Sequence, residues 1–169
     1  MNLSFQPMAI GNGASSNRCR HPFHKVRKMT SASAFPALPA FAFALAALFA
    51  KTTFTSVLQV ISRLRAGVFP IPEDARLMGK RPAQAEADFV RRCANVWRND
   101  TENLPLFAAL GLTYVLLGGS AWSAQMCFAA YVLLRYAHTA AFLLGLQPWR
   151  AVCYLAGLAV CWVIAAQSI

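Results

Sequence analysis

The sequence predicts an all-α membrane protein, a bundle of four transmembrane helices with its polar chemistry near one face. Composition is the first observation. Of 169 residues, 57% are hydrophobic and 13% charged, with mean hydropathy +0.44, whereas a soluble domain carries about a quarter charged residues. Length is the second: at roughly 20 residues per span, the chain holds four spans, one substantial loop and a tail. Charge distribution is the third. All six acids (Glu73, Asp74, Glu86, Asp88, Asp100, Glu102) fall between residues 73 and 102, where they mix with arginines and lysines. The formal charge of +10 therefore does not form the basic stripe on a soluble face that nucleic-acid binding needs. That partner is excluded.

Residues 1–34 form a domain segment of their own. They are polar, acid-free, hold Arg18, Arg20, Lys25, Arg27 and Lys28, and show no apolar periodicity. They read as a disordered basic tail, either an organelle-targeting leader or a stretch upstream of a start at Met29. Residues 35–169 are the membrane domain. Its first span runs from about Pro36 to Ser62, opened by Pro36 and Pro39, with Lys51 as its one charge. Ala40, Ala44 and Ala47 recur at helical spacing and admit a close neighbour. A long loop follows, broken by Pro70, Pro72, Gly79 and Pro82.

The second helix starts near Ala87 and enters the membrane near Leu104. Its apolar part is short for a span and reaches full length only if its charged first turns are helical. Gly118, Gly119 and Ser120 end it. The third span covers about Trp122–Leu144 and the fourth about Arg150–Ala166, joined by a tight turn built on Gly145 and Pro148. Arginine and lysine gather in the first loop and at the third, which places both on the cytoplasmic side. Five cysteines (Cys19, Cys93, Cys127, Cys153, Cys161) lack metal-ligand spacing and suit packing as small hydrophobes. No metal is expected.

Ionisable groups in or beside membrane helices are costly, so each is a functional candidate. Arg135 and His138, three apart, share a face of the third span. Arg98, Asn99 and Glu102 share a face at the entrance of the second helix, Arg63 and Arg65 close the first, and Arg150 opens the fourth. Pairing of Glu102 with Arg135 would leave a cationic excess of Arg63, Arg98 and Arg150 around one pocket, suited to an anionic ligand with carboxylates or a thiolate. Each group has a plainer role when taken singly: arginines snorkel, Arg135 and Glu102 can be a structural pair, and Tyr114 and Tyr154 can be packing residues. The convergence carries the inference of an anionic-ligand site.

The ordered elements FPALPAF, Arg63-Leu64-Arg65, FPIPEDA at 69–75, RNDTENLPLF at 98–107, RYAHT at 135–139 and QPWRAVCY at 147–154 resemble the MAPEG family, the membrane-associated proteins of eicosanoid and glutathione metabolism. The resemblance spans Phe35 to Ala166. It is nearest the glutathione transferase and prostaglandin E synthase branches, and it implies a homotrimer with glutathione bound between subunits near the cytoplasmic face. It further implies that Arg150 is the catalytic arginine beside the glutathione sulfur, with Asp74 of the PED element near the reaction. Arg63, Arg98, Asn99, Glu102, Arg135, His138 and Tyr154 match positions that hold glutathione or its supporting charges. Four positions depart from the family pattern. Asn95 replaces an arginine, Trp97 a histidine and Phe142 a tyrosine, while Ala151 follows the transferase branch where the synthase has serine.

The resulting expectation is a glutathione transferase or peroxidase in the lipid bilayer, acting on hydrophobic small molecules. A prostaglandin-E-synthase-like isomerase and a non-catalytic lipid- or glutathione-binding scaffold are the alternatives. A channel fits less well, because the charges gather at one end instead of lining a path.

Overall fold

The computed structural model describes residues 34–169; the tail expected over 1–34 lies outside the described residues but for Ala34. Five helices follow in order: α1 (Leu38–Ala66), α2 (Pro72–Leu77), α3 (Asp88–Leu116), α4 (Ala121–Leu144) and α5 (Gln147–Gln167). The described fold is all-helical. Helices α1, α4 and α5 are long and apolar enough to cross a membrane. Helix α3 matches α1 in length, at 29 residues, but its first half is charged. The outward faces are apolar as well: Phe43, Phe49, Leu133 and Trp162 are all about 70% exposed or more, as side chains facing lipid would be.

Helix boundaries follow local chemistry. Pro39 sits in the first turn of α1, where its missing N–H costs nothing. Gly67 closes that helix at φ 62°, its N–H donating to the Arg63 carbonyl. Only glycine enters this left-handed conformation without strain. The segment from 67 to 87 is not wholly loop, because Pro72 at a helix start and Glu73 and Asp74 in the first turn nucleate the short α2. The joint before the last helix also differs from the sequence expectation. Gly145 alone makes the turn, at φ 76°, and Pro148 belongs to the first turn of α5.

Helices α3 and α4 each touch all the other long helices and carry the centre of the bundle. The buried positions run as stripes of three- and four-residue spacing: Phe41, Ala44, Leu48, Lys51 and Thr55 on α1; Cys93, Val96, Asp100, Phe107, Gly111 and Tyr114 on α3; Ala124, Phe128, Tyr131, Arg135 and His138 on α4. The stripes of α1 and α4 are apolar at one end and turn polar at the other, and that of α3 is apolar but for Asp100 near its middle. The apolar ends form an aromatic layer. Phe107 stacks on Tyr131 with centroids 4.0 Å apart and meets Phe128 edge-on at 5.6 Å, and Phe41 tilts against Phe128 at 5.7 Å. The polar ends meet at a second layer, described below.

Gly111 of α3 is where the Phe41 ring of α1 seats against the helix. A Cβ there would fall 2.6 Å from Phe41 Cε2, and Phe128 stands behind that ring. Gly111→Ala is therefore expected to lower stability by about 1–3 kcal/mol through overpacking, read as a drop in thermal unfolding midpoint in detergent. An unchanged midpoint would show that the ring has room to move.

Candidate functional site

The second layer is built on one carboxylate. Asp100 of α3 accepts from Lys51 Nζ of α1 at Oδ2 and from Arg135 Nη2 of α4 at Oδ1, the latter at 2.6 Å. All three side chains are at most 3% exposed. Arg135 Nη2 also donates to Asn99 Oδ1 at 2.7 Å. The Glu102–Arg135 pair anticipated from the sequence does not form. Glu102 lies two residues from Asp100, about 200° around the helix, and is exposed on the far side of the inward stripe. Asp100, in step with Cys93, Val96 and Phe107, takes the inward place.

Above this layer lies a polar pocket of about 560 Å³ lined by Asn95, Arg98, Asn99 and Glu102 of α3, His138 and Phe142 of α4, and Arg150, Ala151 and Tyr154 of α5. The structure thus gathers six of the residues singled out from sequence: Arg98, Asn99, Glu102, His138, Arg150 and Tyr154. Arg135 supports the wall from beneath. Helical spacing explains the convergence: 95, 98, 99 and 102 share one face of α3, 138 and 142 one face of α4, and 150, 151 and 154 one face of α5.

Arg150 lies over the Phe142 ring, its guanidinium carbon 4.5 Å from the centroid. This cation–π contact rests the guanidinium on the face of Phe142. Asn95 accepts from Arg98 Nη2 at 3.2 Å and so steadies its neighbour. Trp97 faces away, into a groove between α1 and α3. The His138 ring is 5.9 Å from Phe142 and 6.4 Å from Tyr154, and its Nδ1 is buried with no protein partner among the described residues. The pocket therefore offers two guanidinium groups, amides and an imidazole to an anion, with one carboxylate, Glu102, for a cationic group.

An apolar groove of about 380 Å³ runs from this pocket along α3 and α5, past Leu106, Leu110, Leu158 and Trp162. Tyr154 lines both cavities, and Arg135 forms part of the groove. Arg63 and Asp74 are elsewhere in the chain. They line a smaller cleft with Phe69 and Met78, and Arg63 pairs with Glu86.

Lys51 and Asp100 are the residues that sequence reasoning passed over. Lys51 alone in a first span needs a buried counterion, and Asp100 is the acid in phase with the inward stripe. That combination is readable from spacing. Asp100→Ala would leave two buried cations without a partner, so a loss of about 3–5 kcal/mol is expected, seen as failure to purify as a monodisperse species or a sharply lowered unfolding midpoint. Wild-type stability in that variant would show that water reaches the cluster.

Residues 41–169 match the profile of the MAPEG family. The prostaglandin E synthase of Homo sapiens is 37% identical over 134 residues, covering 78% of this chain and 88% of that protein. The enzyme of the same name from Equus caballus is 36% identical over 134 residues, 79% of this chain and 88% of its own length. Microsomal glutathione S-transferase 1 of Bos taurus is 35% identical over 115 residues, 65% of this chain and 74% of its own.

Proposed function

This chain belongs to the MAPEG family, and we propose that it is a glutathione-dependent transferase or peroxidase acting on hydrophobic electrophiles or lipid hydroperoxides. The observation that carries the reading is the polar pocket, where Arg98, Asn99, Glu102, His138, Arg150 and Tyr154 converge beside an apolar groove. Glutathione has two carboxylates, an ammonium group and a thiol. Arg98 and the amides suit a carboxylate, Glu102 the ammonium, and Arg150 the sulfur.

In this reading the fixed charge of Arg150 favours the thiolate over the thiol, and the thiolate is the nucleophile. With an aryl halide, the sulfur forms a bond to the ring carbon and the halide leaves with the electron pair of the broken bond. With a hydroperoxide, sulfur attacks the terminal oxygen, the O–O bond breaks and the released alkoxide takes a proton; the thiol of a second glutathione then attacks the resulting sulfenic acid, forming the disulfide and releasing the hydroxyl as water. A hydrophobic partner reaches the sulfur from the bilayer along the groove that shares Tyr154.

The reading includes α3 as a fourth membrane span, its charged first turns at the cytoplasmic face, and assembly as a homotrimer. Assembly would account for Arg63 and Asp74, which lie apart from the polar pocket within one chain. In a trimer, a neighbouring subunit supplies them to the site.

Arg150→Ala is expected to lower kcat/KM for glutathione conjugation of an aryl halide by about 10²-fold or more, with the fold intact by circular dichroism. Equal, non-zero turnover would remove Arg150 from the chemistry. The isomerase is the second reading, favoured by the longer match to prostaglandin E synthases than to the transferase; prostaglandin formation without aryl-halide conjugation would select it.

A further inference from the structure

Lys51 lines neither the polar pocket nor the apolar groove, yet its position bears on the pocket through two side chains. Asp100 has two oxygens. Lys51 holds Oδ2, so Arg135 is left with Oδ1, which it reaches through Nη2 at 2.6 Å. The same Nη2 donates to Asn99 Oδ1 at 2.7 Å, while Arg135 Nε is buried without a protein partner among the described residues. This is a guanidinium engaged through one terminal nitrogen. Given a whole carboxylate, arginine prefers the forked pair through two nitrogens.

The bond to Asn99 also fixes that amide. Arginine only donates, so Asn99 must turn its oxygen to it. The amide nitrogen then remains free of any protein acceptor among the described residues, on a side chain that lines the polar pocket. We propose that Lys51 is a positioning residue of the site: by occupying one oxygen of Asp100 it denies Arg135 the forked pair, keeps Arg135 on Asn99, and so presents the Asn99 NH2 to the pocket as a donor for a carboxylate or peptide carbonyl of the ligand. This rests on the glutathione reading for the identity of the ligand, but not for the geometry.

The test is a double-mutant cycle with a structural arm. Glutathione binding is titrated calorimetrically, and KM and kcat are measured, for Lys51→Met and Lys51→Arg with Asn99 present and with Asn99→Ala. Lys51→Met should weaken binding and raise KM about tenfold, the worth of one hydrogen bond, with kcat changed by less than about threefold, since Arg150 is untouched. Lys51→Arg, which refills Oδ2, should recover most of the affinity. With Asn99→Ala in place, Lys51→Met should cost nothing further, because coupled residues are non-additive; an equal loss in both backgrounds overturns the proposal.

If Lys51→Met does not fold, Lys51→Gln, a weaker donor to the same oxygen, should fall between wild type and the full loss; no loss there overturns the proposal. The structural arm needs no ligand. A crystal structure of Lys51→Met, or of Lys51→Gln if the former fails, should show Arg135 on both oxygens of Asp100 and Asn99 released. An unchanged Arg135–Asn99 bond overturns the proposal. Should wild type bind no glutathione, the glutathione reading fails and this arm alone decides the role of Lys51.

Discussion

One carboxylate shared by two cations, at the depth where three helices cross, is the constraint on which the rest of this bundle depends. Lys51, Asp100 and Arg135 come from α1, α3 and α4, and each sits in the inward stripe of its helix, in line with the aromatic residues that follow or precede it. In a low-dielectric interior such a contact is strong when complete and costly when any member is missing. It therefore fixes the rotation of each helix and its depth relative to the others.

The polar pocket inherits this order. Its α3 wall is set by the inward position of Asp100, because Asn95, Arg98, Asn99 and Glu102 lie on another face of the same helix, whose rotation Asp100 fixes. The departures from the family pattern gain local sense there. Asn95 exchanges a charge for a hydrogen bond to Arg98, and Phe142 gives up a hydroxyl but keeps an aromatic face under Arg150. Both changes preserve the placement of a guanidinium, the first with one charge fewer beside it and the second with one hydroxyl fewer.

Much of this was legible from the residues alone. The apolar runs located the long helices to within a few positions, and the charged turns from Asp88 onward proved to be helix. The grouping of Arg98, Asn99, Glu102, His138 and Arg150 into one pocket followed from their faces and from the loop sides, whereas Tyr154 entered it only through the family resemblance. The choice of counterion for Arg135 did not. Residues 98, 99, 100 and 102 present polar groups around most of the helix circumference, so composition cannot say which one points inward. Only the phase of Cys93, Val96 and Phe107, extended through the turn, selects Asp100. The short α2 and the Arg63–Glu86 pair were hidden for a different reason: the pairing of loop charges depends on how the chain folds back, and no periodicity records that.

Chain order gives the ion cluster a direction in biosynthesis. Lys51 emerges from the ribosome before Asp100, and Asp100 before Arg135. The first helix enters the bilayer on its own apolarity, carrying one cation. The second long helix is the least apolar of the four, and its buried acid meets a partner already waiting at the right depth. The third then brings a cation to a carboxylate with one oxygen still open. Each costly group after the first thus arrives to find its complement in place, so the least apolar of the long helices packs against one made before it.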